Sequence, residues 1–220
     1  HMSLKIDGDK IVEEKVEVRH AGRPELALRE NVHYMDIAAN QAFSIATSMI
    51  PFLEHDNANR ALMGSNMQKQ AIPCIIPEAP LVATGVESEA AHDTGRLAIA
   101  GISGTVFHAD ARKVTVKGND GTLEEHKLVN FSRTNGLTAF HQRPIVNVGD
   151  KVKKSDVLAD TSSSDGGQIA IGQNALVAFM SWRGSNYEDA IILSERLVKQ
   201  SKFTSLHLDE FIVNVRDTKL

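Results

Sequence analysis

Two stretches of the chain concentrate side chains that can bind something. The first is Pro51–Gln70, dense in amide, basic and thioether groups. At about 100° per residue, Asn59, Met63, Asn66 and Gln70 fall on one stripe of a helix, with Arg60 and Met67 beside it and Ala58, Leu62 and Lys69 on the other flank. A buried amide without partners costs a few kcal/mol, so this stripe does not suit a dry core. It suits the wall of a groove around a polar, flat-surfaced ligand; the alternative is a solvated helix face with the two methionines packed beneath it. The second stretch, Ser181–Ala190, carries the adjacent carboxylates Glu188 and Asp189. Neighbours on a strand point opposite ways, whereas a loop or turn can aim both at one cation. The alternative is two solvated acids. His55 and His141 read as structural hydrogen-bonders rather than ligands. The sequence holds no glycine-rich phosphate loop, zinc spacing, nucleophile elbow or triad pattern.

The elements that must position these groups follow from punctuation and periodicity. Pro51 limits helical continuation from the preceding segment, and Asp56 and Asn57 are good caps, which predicts a helix over about 57–70. Upstream, Asp36 can cap a helix containing Ala39, Ala42, Phe43, Ala46, Met49 and Ile50, whose spacing supplies one apolar face. Residues 3–30 are charged, with a turn at Lys5–Lys10 and a partly alternating strand at Ile11–Val18, a marginal edge element. After Pro73 come short β-branched runs separated by glycines, with Asp120-Gly121 the clearest tight turn. Pro144–Asp160 reads as two short strands joined through a turn at Gly149-Asp150, with Lys151, Lys153 and Lys154 on a solvated edge. Residues 161–167 form a loop by composition, 168–180 a largely buried strand-like run, and 204–216 a further alternating strand. The predicted class is α+β and β-rich, with barrel or barrel-sandwich-like strands and a few helices near the N-terminal third.

At 220 residues and 42% hydrophobic content the chain can bury a real core. A formal charge of −4 supplies no general basic field, so any nucleic-acid contact must be local. The single cysteine, Cys74, excludes an internal disulfide and, without a secretory leader, points to the cytoplasm. No apolar run approaches the roughly 18 to 20 residues of a membrane span, and His1-Met2 resembles a cleaved-tag scar. The Gly149-Asp-Lys-Val turn also recurs in biotinyl and lipoyl carrier domains, but the lysine-bearing tripeptide of their second hairpin does not follow here.

Several strings, in order, resemble the bacterial RNA polymerase β subunit. They are Tyr34-Met-Asp, the run from Ile50-Pro-Phe-Leu-Glu-His-Asp to Ala71-Ile-Pro73, Gln142-Arg-Pro-Ile-Val, Gly149-Asp with Asp156-Val-Leu-Ala-Asp160, Ala170-Ile-Gly-Gln-Asn, Val177-Ala-Phe-Met, Asn186-Tyr-Glu-Asp-Ala, and Arg216-Asp-Thr-Lys-Leu. They cover roughly residues 30–220. The resemblance implies the hybrid-binding part of that subunit, next to the polymerase active centre and ending where a flap domain would follow Leu220. It divides the chain into a tag scar and extended lead (1–29), a helical segment lining the active centre (30–75) and a β-rich remainder (76–220). It implies a component of a nucleotidyltransferase that assembles with β′, α and ω subunits and a sigma factor on template DNA and nascent RNA. The catalytic aspartates lie in β′, so this stretch alone is expected to be inactive.

By the same resemblance, Arg60 contacts the triphosphate of the incoming nucleoside triphosphate, and Asn66, Lys69 and Gln70 lie near the RNA end and its hybrid with template. Glu188 and Asp189 match an acidic pair near a second Mg2+ that arrives with the nucleotide. A non-catalytic scaffold that docks other polymerase subunits or transcription factors is the alternative. Four departures from the family pattern affect local loops: Lys69 for arginine, Ser155 for glycine, Thr161–Gly167 for Gly-Pro-Ser-Thr-Asp, and Ser185 for tyrosine.

Overall fold

The computed structural model describes residues 4–8, 10–36 and 39–215. Its centre is a pair of open antiparallel sheets between residues 98 and 161. One has strands Lys151–Val152, Gly104–Ala109, Lys113–Gly118 and Leu123–Lys127 in that spatial order; the other runs Gln142–Pro144, Val157–Thr161, Ala98–Ile99. The β-branched runs that follow Pro73 in the sequence supply both. Ala98, Ala100, Val106, Val114, Val116, Leu128, Val152, Leu158 and Ala159 form one buried cluster drawn from the two sheets. The chain is therefore α+β and β-rich, as its alternation predicts. Among the described residues no sheet closes on itself, and the strands expected to be barrel or barrel-sandwich-like form two open sheets sharing a core. The helices also extend beyond the N-terminal third, with α1 at Ile45–Ser48, α2 at Ala58–Gln68, α3 at Val86–Asp93 and α4 at Glu195–Lys199.

The Asp120-Gly121 turn joins two strands of the larger sheet. Gly121 adopts φ +86°, and Thr122 N–H donates to the Asp120 carboxylate at 3.0 Å. Gly104, between two neighbouring strands, has no room for a side chain: a Cβ there would stand 2.1 Å from the Lys117 carbonyl oxygen. The strand at Lys151–Val152 lies on the sheet edge with Lys151, Lys153 and Lys154 exposed, as the lysine spacing predicts. The two strands flanking Gly149-Asp150 do not pair with each other, however, because each joins a different sheet region. Ser155, where glycine is usual in the resemblance, holds a left-handed backbone at φ +76°.

The Thr161–Gly167 loop is organised by a buried acid. Asp160 is fully buried and accepts from Ser164 Oγ–H at 2.8 Å and from the Gly166 and Gly167 N–H groups at 2.8 and 2.9 Å. Three donors offset much of the cost of removing a carboxylate from water.

Three expected elements come out differently. The helix from Asp36 to Ile50 is broken: residues 37 and 38 lie outside the described set, Ala39–Ala42 is a 3-10 turn, and α1 restarts after Ser44. Ser44 is extended (φ −72°, ψ 161°), and its hydroxyl accepts from Thr47 N–H at 3.2 Å, so the serine acts as a cap where a helix interior was expected. In 168–180 only Gln168–Ile169 is a strand, paired with Ser164–Asp165; Leu176 and Phe179 are almost fully exposed, so the run is not buried. In 204–216 the described residues form a single bridge, Thr138 to His207, with Phe211 to Val215 exposed. Alternation supplies strand side chains, but a strand also needs a neighbouring backbone edge. The charged lead, in contrast, closes on itself as a hairpin of Lys15–His20 with Arg23–Leu28, turning at Ala21 and Gly22, both with positive φ.

Candidate functional site

Helix α2 forms where the cap residues predict. The Asn57 side chain accepts from the Asn59 and Arg60 N–H groups at 2.9 and 3.3 Å, and Asp56 in turn accepts from Asn57 N–H at 2.7 Å. Its buried residues are Ala61 and Ser65, four apart on one side. The Asn59, Met63, Asn66, Gln70 stripe lies on the opposite side and is exposed. Met63 and Met67 are 49% and 60% exposed, so the methionines do not pack beneath a solvated face. Arg60 is exposed and donates only to the Met63 sulfur, at 3.7 Å; none of the described acids pairs with it. Asn66, Lys69 and Gln70 are likewise exposed at the end of the helix.

Glu188 and Asp189 are both exposed and lie in a turn between Tyr187 and Ala190, the geometry that lets adjacent carboxylates converge. Glu188 adopts φ +56°, a left-handed conformation unusual for a residue with a side chain. The turn hangs from a loop fixed by Asn186, whose amide donates to the Met180 carbonyl at 2.7 Å and accepts from Trp182 N–H at 2.9 Å. Ser185 closes the same loop through its N–H to the Trp182 carbonyl at 2.9 Å. No hydrogen bond or ion pair among the described residues joins this turn to α2, so the two halves present their groups separately. The described residues contain no cluster of three or more His, Cys, Asp or Glu side chains able to hold a metal. The Glu188 and Asp189 carboxylates are hard oxygen donors of the kind that Mg2+ and Ca2+ take.

Sequence reasoning did not single out the junction beside α2. A cavity of about 240 Å3 opens between Gln68, Met49, Glu78, Val82, Ile171 and Gln173. The Gln68 Oε1 atom is buried there without a hydrogen-bond partner. Glu78 accepts a charged hydrogen bond from Lys202 on one oxygen and the Asn174 N–H, at 2.9 Å, on the other. The Lys202 ammonium, foremost, and then the Asn174 N–H hold the Glu78 carboxyl below the usual range. Burial and the Glu78 charge push the Cys74 thiol up. The only signal in the sequence was the Gly172-Gln-Asn174 string, which gives no partner by itself. The two histidines read as hydrogen-bonders differ: His55 is exposed beside Glu54 at 3.7 Å, while His141 stacks on Phe131 at 5.1 Å with its Nδ1 buried and unpartnered.

The family model described as RNA polymerase Rpb2, domain 6, matches residues 99–220, and the chain belongs to that RNA polymerase family. Its relatives are β subunits. It is 49% identical over 209 residues to the DNA-directed RNA polymerase subunit beta of Syntrophomonas wolfei, covering 95% of this chain and 19% of that protein. Against the subunit of the same name from Lactiplantibacillus plantarum it is 53% identical over 191 residues, covering 87% and 16%. Against that of Prochlorococcus marinus it is 50% identical over 214 residues, covering 97% and 19%. The chain thus spans about a fifth of the length of the curated relatives it matches. Among the described residues no helix is long and apolar enough to cross a membrane.

Proposed function

We propose that this chain is the substrate-facing portion of a DNA-directed RNA polymerase β subunit, working during RNA synthesis beside a β′ subunit that carries the catalytic aspartates. The observation that carries the reading is the α2 stripe, exposed opposite the buried side of its helix, with an arginine that none of the described acids pairs with. An unpaired guanidinium can donate two parallel hydrogen bonds to the phosphate oxygens of a triphosphate. Arg60 binds the incoming nucleoside triphosphate. Asn66, Lys69 and Gln70 contact phosphates and 2′-hydroxyls of the RNA–DNA hybrid without reading sequence. Lys69 keeps the charge of the usual arginine but offers one point donor instead of a fork. Glu188 and Asp189 hold the Mg2+ that accompanies the nucleotide, and that ion, when bound, neutralises charge developing on the phosphates. In this reading residues 30–75 line the active centre and 76–220 support the hybrid, with residues 1–29 as a lead. The full enzyme would include α, ω and sigma partners in the cytoplasm.

The test is kinetic and is made in the assembled enzyme. Arg60→Ala is expected to raise the apparent KM for nucleotide by about tenfold, and Glu188→Gln with Asp189→Asn to raise the Mg2+ concentration needed for half-maximal extension. Unchanged titrations in both would remove these roles. A docking role for the same chain has its own support in the exposed apolar side chains of Leu176, Phe179, Ile191 and Phe211, which fit contact with another polymerase subunit. Loss of β′ capture on Leu176→Ser and Phe211→Ser, with nucleotide KM intact, would favour that reading.

A further inference from the structure

Three separated segments meet beside the cavity next to α2. The first, residues 75–81, is the chain leaving that helix; the second, 172–174, and the third, 202–204, are the two feet of the long excursion that carries the Glu188–Asp189 turn. Ile75 N–H donates to the Thr204 carbonyl at 2.8 Å and Glu78 N–H to the Gly172 carbonyl at 3.0 Å. Side chains then tie the same three segments twice. Glu78 joins Lys202 to the backbone of Asn174. Gln173 donates to the Ile76 carbonyl and accepts from Phe203 N–H at 2.7 Å. Asn174 adds its amide, donating to the Ala79 carbonyl at 2.9 Å and accepting from Leu81 N–H at 3.3 Å.

Glu78 and Lys202 are both largely shielded, with side chains 30% and 26% exposed, so their attraction is less screened than that of a surface pair. Gln68, the last residue of α2, shares the cavity wall with Glu78 and Gln173. The junction is therefore the one place among the described residues where the exit of α2 and both feet of the excursion are joined by side-chain hydrogen bonds.

We infer that Glu78, with Lys202 and Gln173, is a positioning cluster that fixes the spacing between the α2 stripe and the Glu188–Asp189 turn. The inference rests on the reading of those two groups as nucleotide and magnesium contacts. Nothing in the cluster touches substrate. It acts by tethering both ends of the segment that carries the turn to the chain leaving α2, and misplacement on the scale of an ångström is costly when two groups must grip one ligand.

The test uses the complete polymerase. Lys202→Met, Glu78→Gln and the reversed pair Glu78→Lys with Lys202→Glu are compared with Glu188→Gln/Asp189→Asn. Single variants of the cluster are expected to raise the apparent KM for both nucleotide and Mg2+ by about tenfold while kcat at saturation stays within about twofold, and the reversed pair to recover only part of that loss, since a lysine at 78 cannot accept from the Asn174 N–H. Mn2+ binding to a halted complex with an unreactive nucleotide analogue, followed by electron paramagnetic resonance, should weaken in parallel. If the acidic-pair variant shifts these titrations and Lys202→Met and Glu78→Gln do not, the positioning inference is overturned and the functional reading survives. If none of the variants shifts them, the functional reading fails and takes the inference with it. Reduced assembly or kcat with both KM values unchanged marks the cluster as structural only and also overturns the inference.

Discussion

The two sheets between residues 98 and 161 are the less apolar of two regions, the segment from 175 to 215 the more apolar, yet the sheets bury their apolar side chains and the segment exposes them. In the sheets Val106, Val114, Val116 and Leu158 are buried to within 1%, and the one buried acid has three donors. In the 175–215 segment Leu176, Phe179, Ile191, Phe211 and Val215 are more than four-fifths exposed. Apolar side chains alone do not make a core. The sheets have neighbouring backbone edges to bond to, and the described residues of the 175–215 segment have one short helix and a single bridge. One region carries the stability, and the other carries groups that face outward.

Four measurements would break or sharpen that contrast. The largest effect is expected from Leu158→Ala, which empties the centre of the shared core and should cost about 2–5 kcal/mol in denaturant unfolding of the 220-residue chain. A cost under about 1 kcal/mol would mean the core does not hold the sheets together. Ser155→Gly should stabilise the same chain by about 1 kcal/mol, since glycine meets no penalty at the positive φ that Ser155 holds. A loss instead would show that the serine side chain is favoured there.

Acidification offers a third check. His108, foremost, and the Arg112 and Lys113 N–H groups lower the Asp110 carboxyl to about 2. Because the folded value lies below the unfolded one, its contribution is fully present above about pH 4 and is lost as pH falls toward 2. Asp110→Asn should therefore flatten the acid limb of the stability curve and leave neutral pH less affected than Leu158→Ala does. The smallest effect is expected from Leu176→Ser, within about 0.5 kcal/mol for the isolated chain, because the side chain touches almost nothing. A larger destabilisation would place the excursion inside the cooperative unit.

Much of this was legible in the residues. Asn57 announced α2 by its capping chemistry, Asp120-Gly121 announced its hairpin, and the lysines at 151, 153 and 154 announced an edge, because each of these signals is local. The polar stripe of α2 and its exposure followed from the 3.6-residue period. What the residues could not tell is which partner a segment finds. Ser44 looked like helix interior and acts as a cap; 204–216 alternated well and found only one bridge. The Glu78 junction joins residues separated by 96 and 124 positions, a distance no local pattern spans. The roles proposed for Arg60, Asn66, Lys69, Gln70, Glu188 and Asp189 rest on resemblance rather than on spacing.

The anchoring at Glu78 also changes what kind of object the acidic turn sits on. Both feet of the excursion return to one carboxylate, so residues 175–201 form a closed bight rather than an arm. The entropy of closing such a bight grows only with the logarithm of its length, about 0.6 kcal/mol per doubling. A chain severed at the exposed Arg183 would leave each cut end still tethered to the same point, which makes this loop a natural place at which to split the protein and rejoin it by complementation.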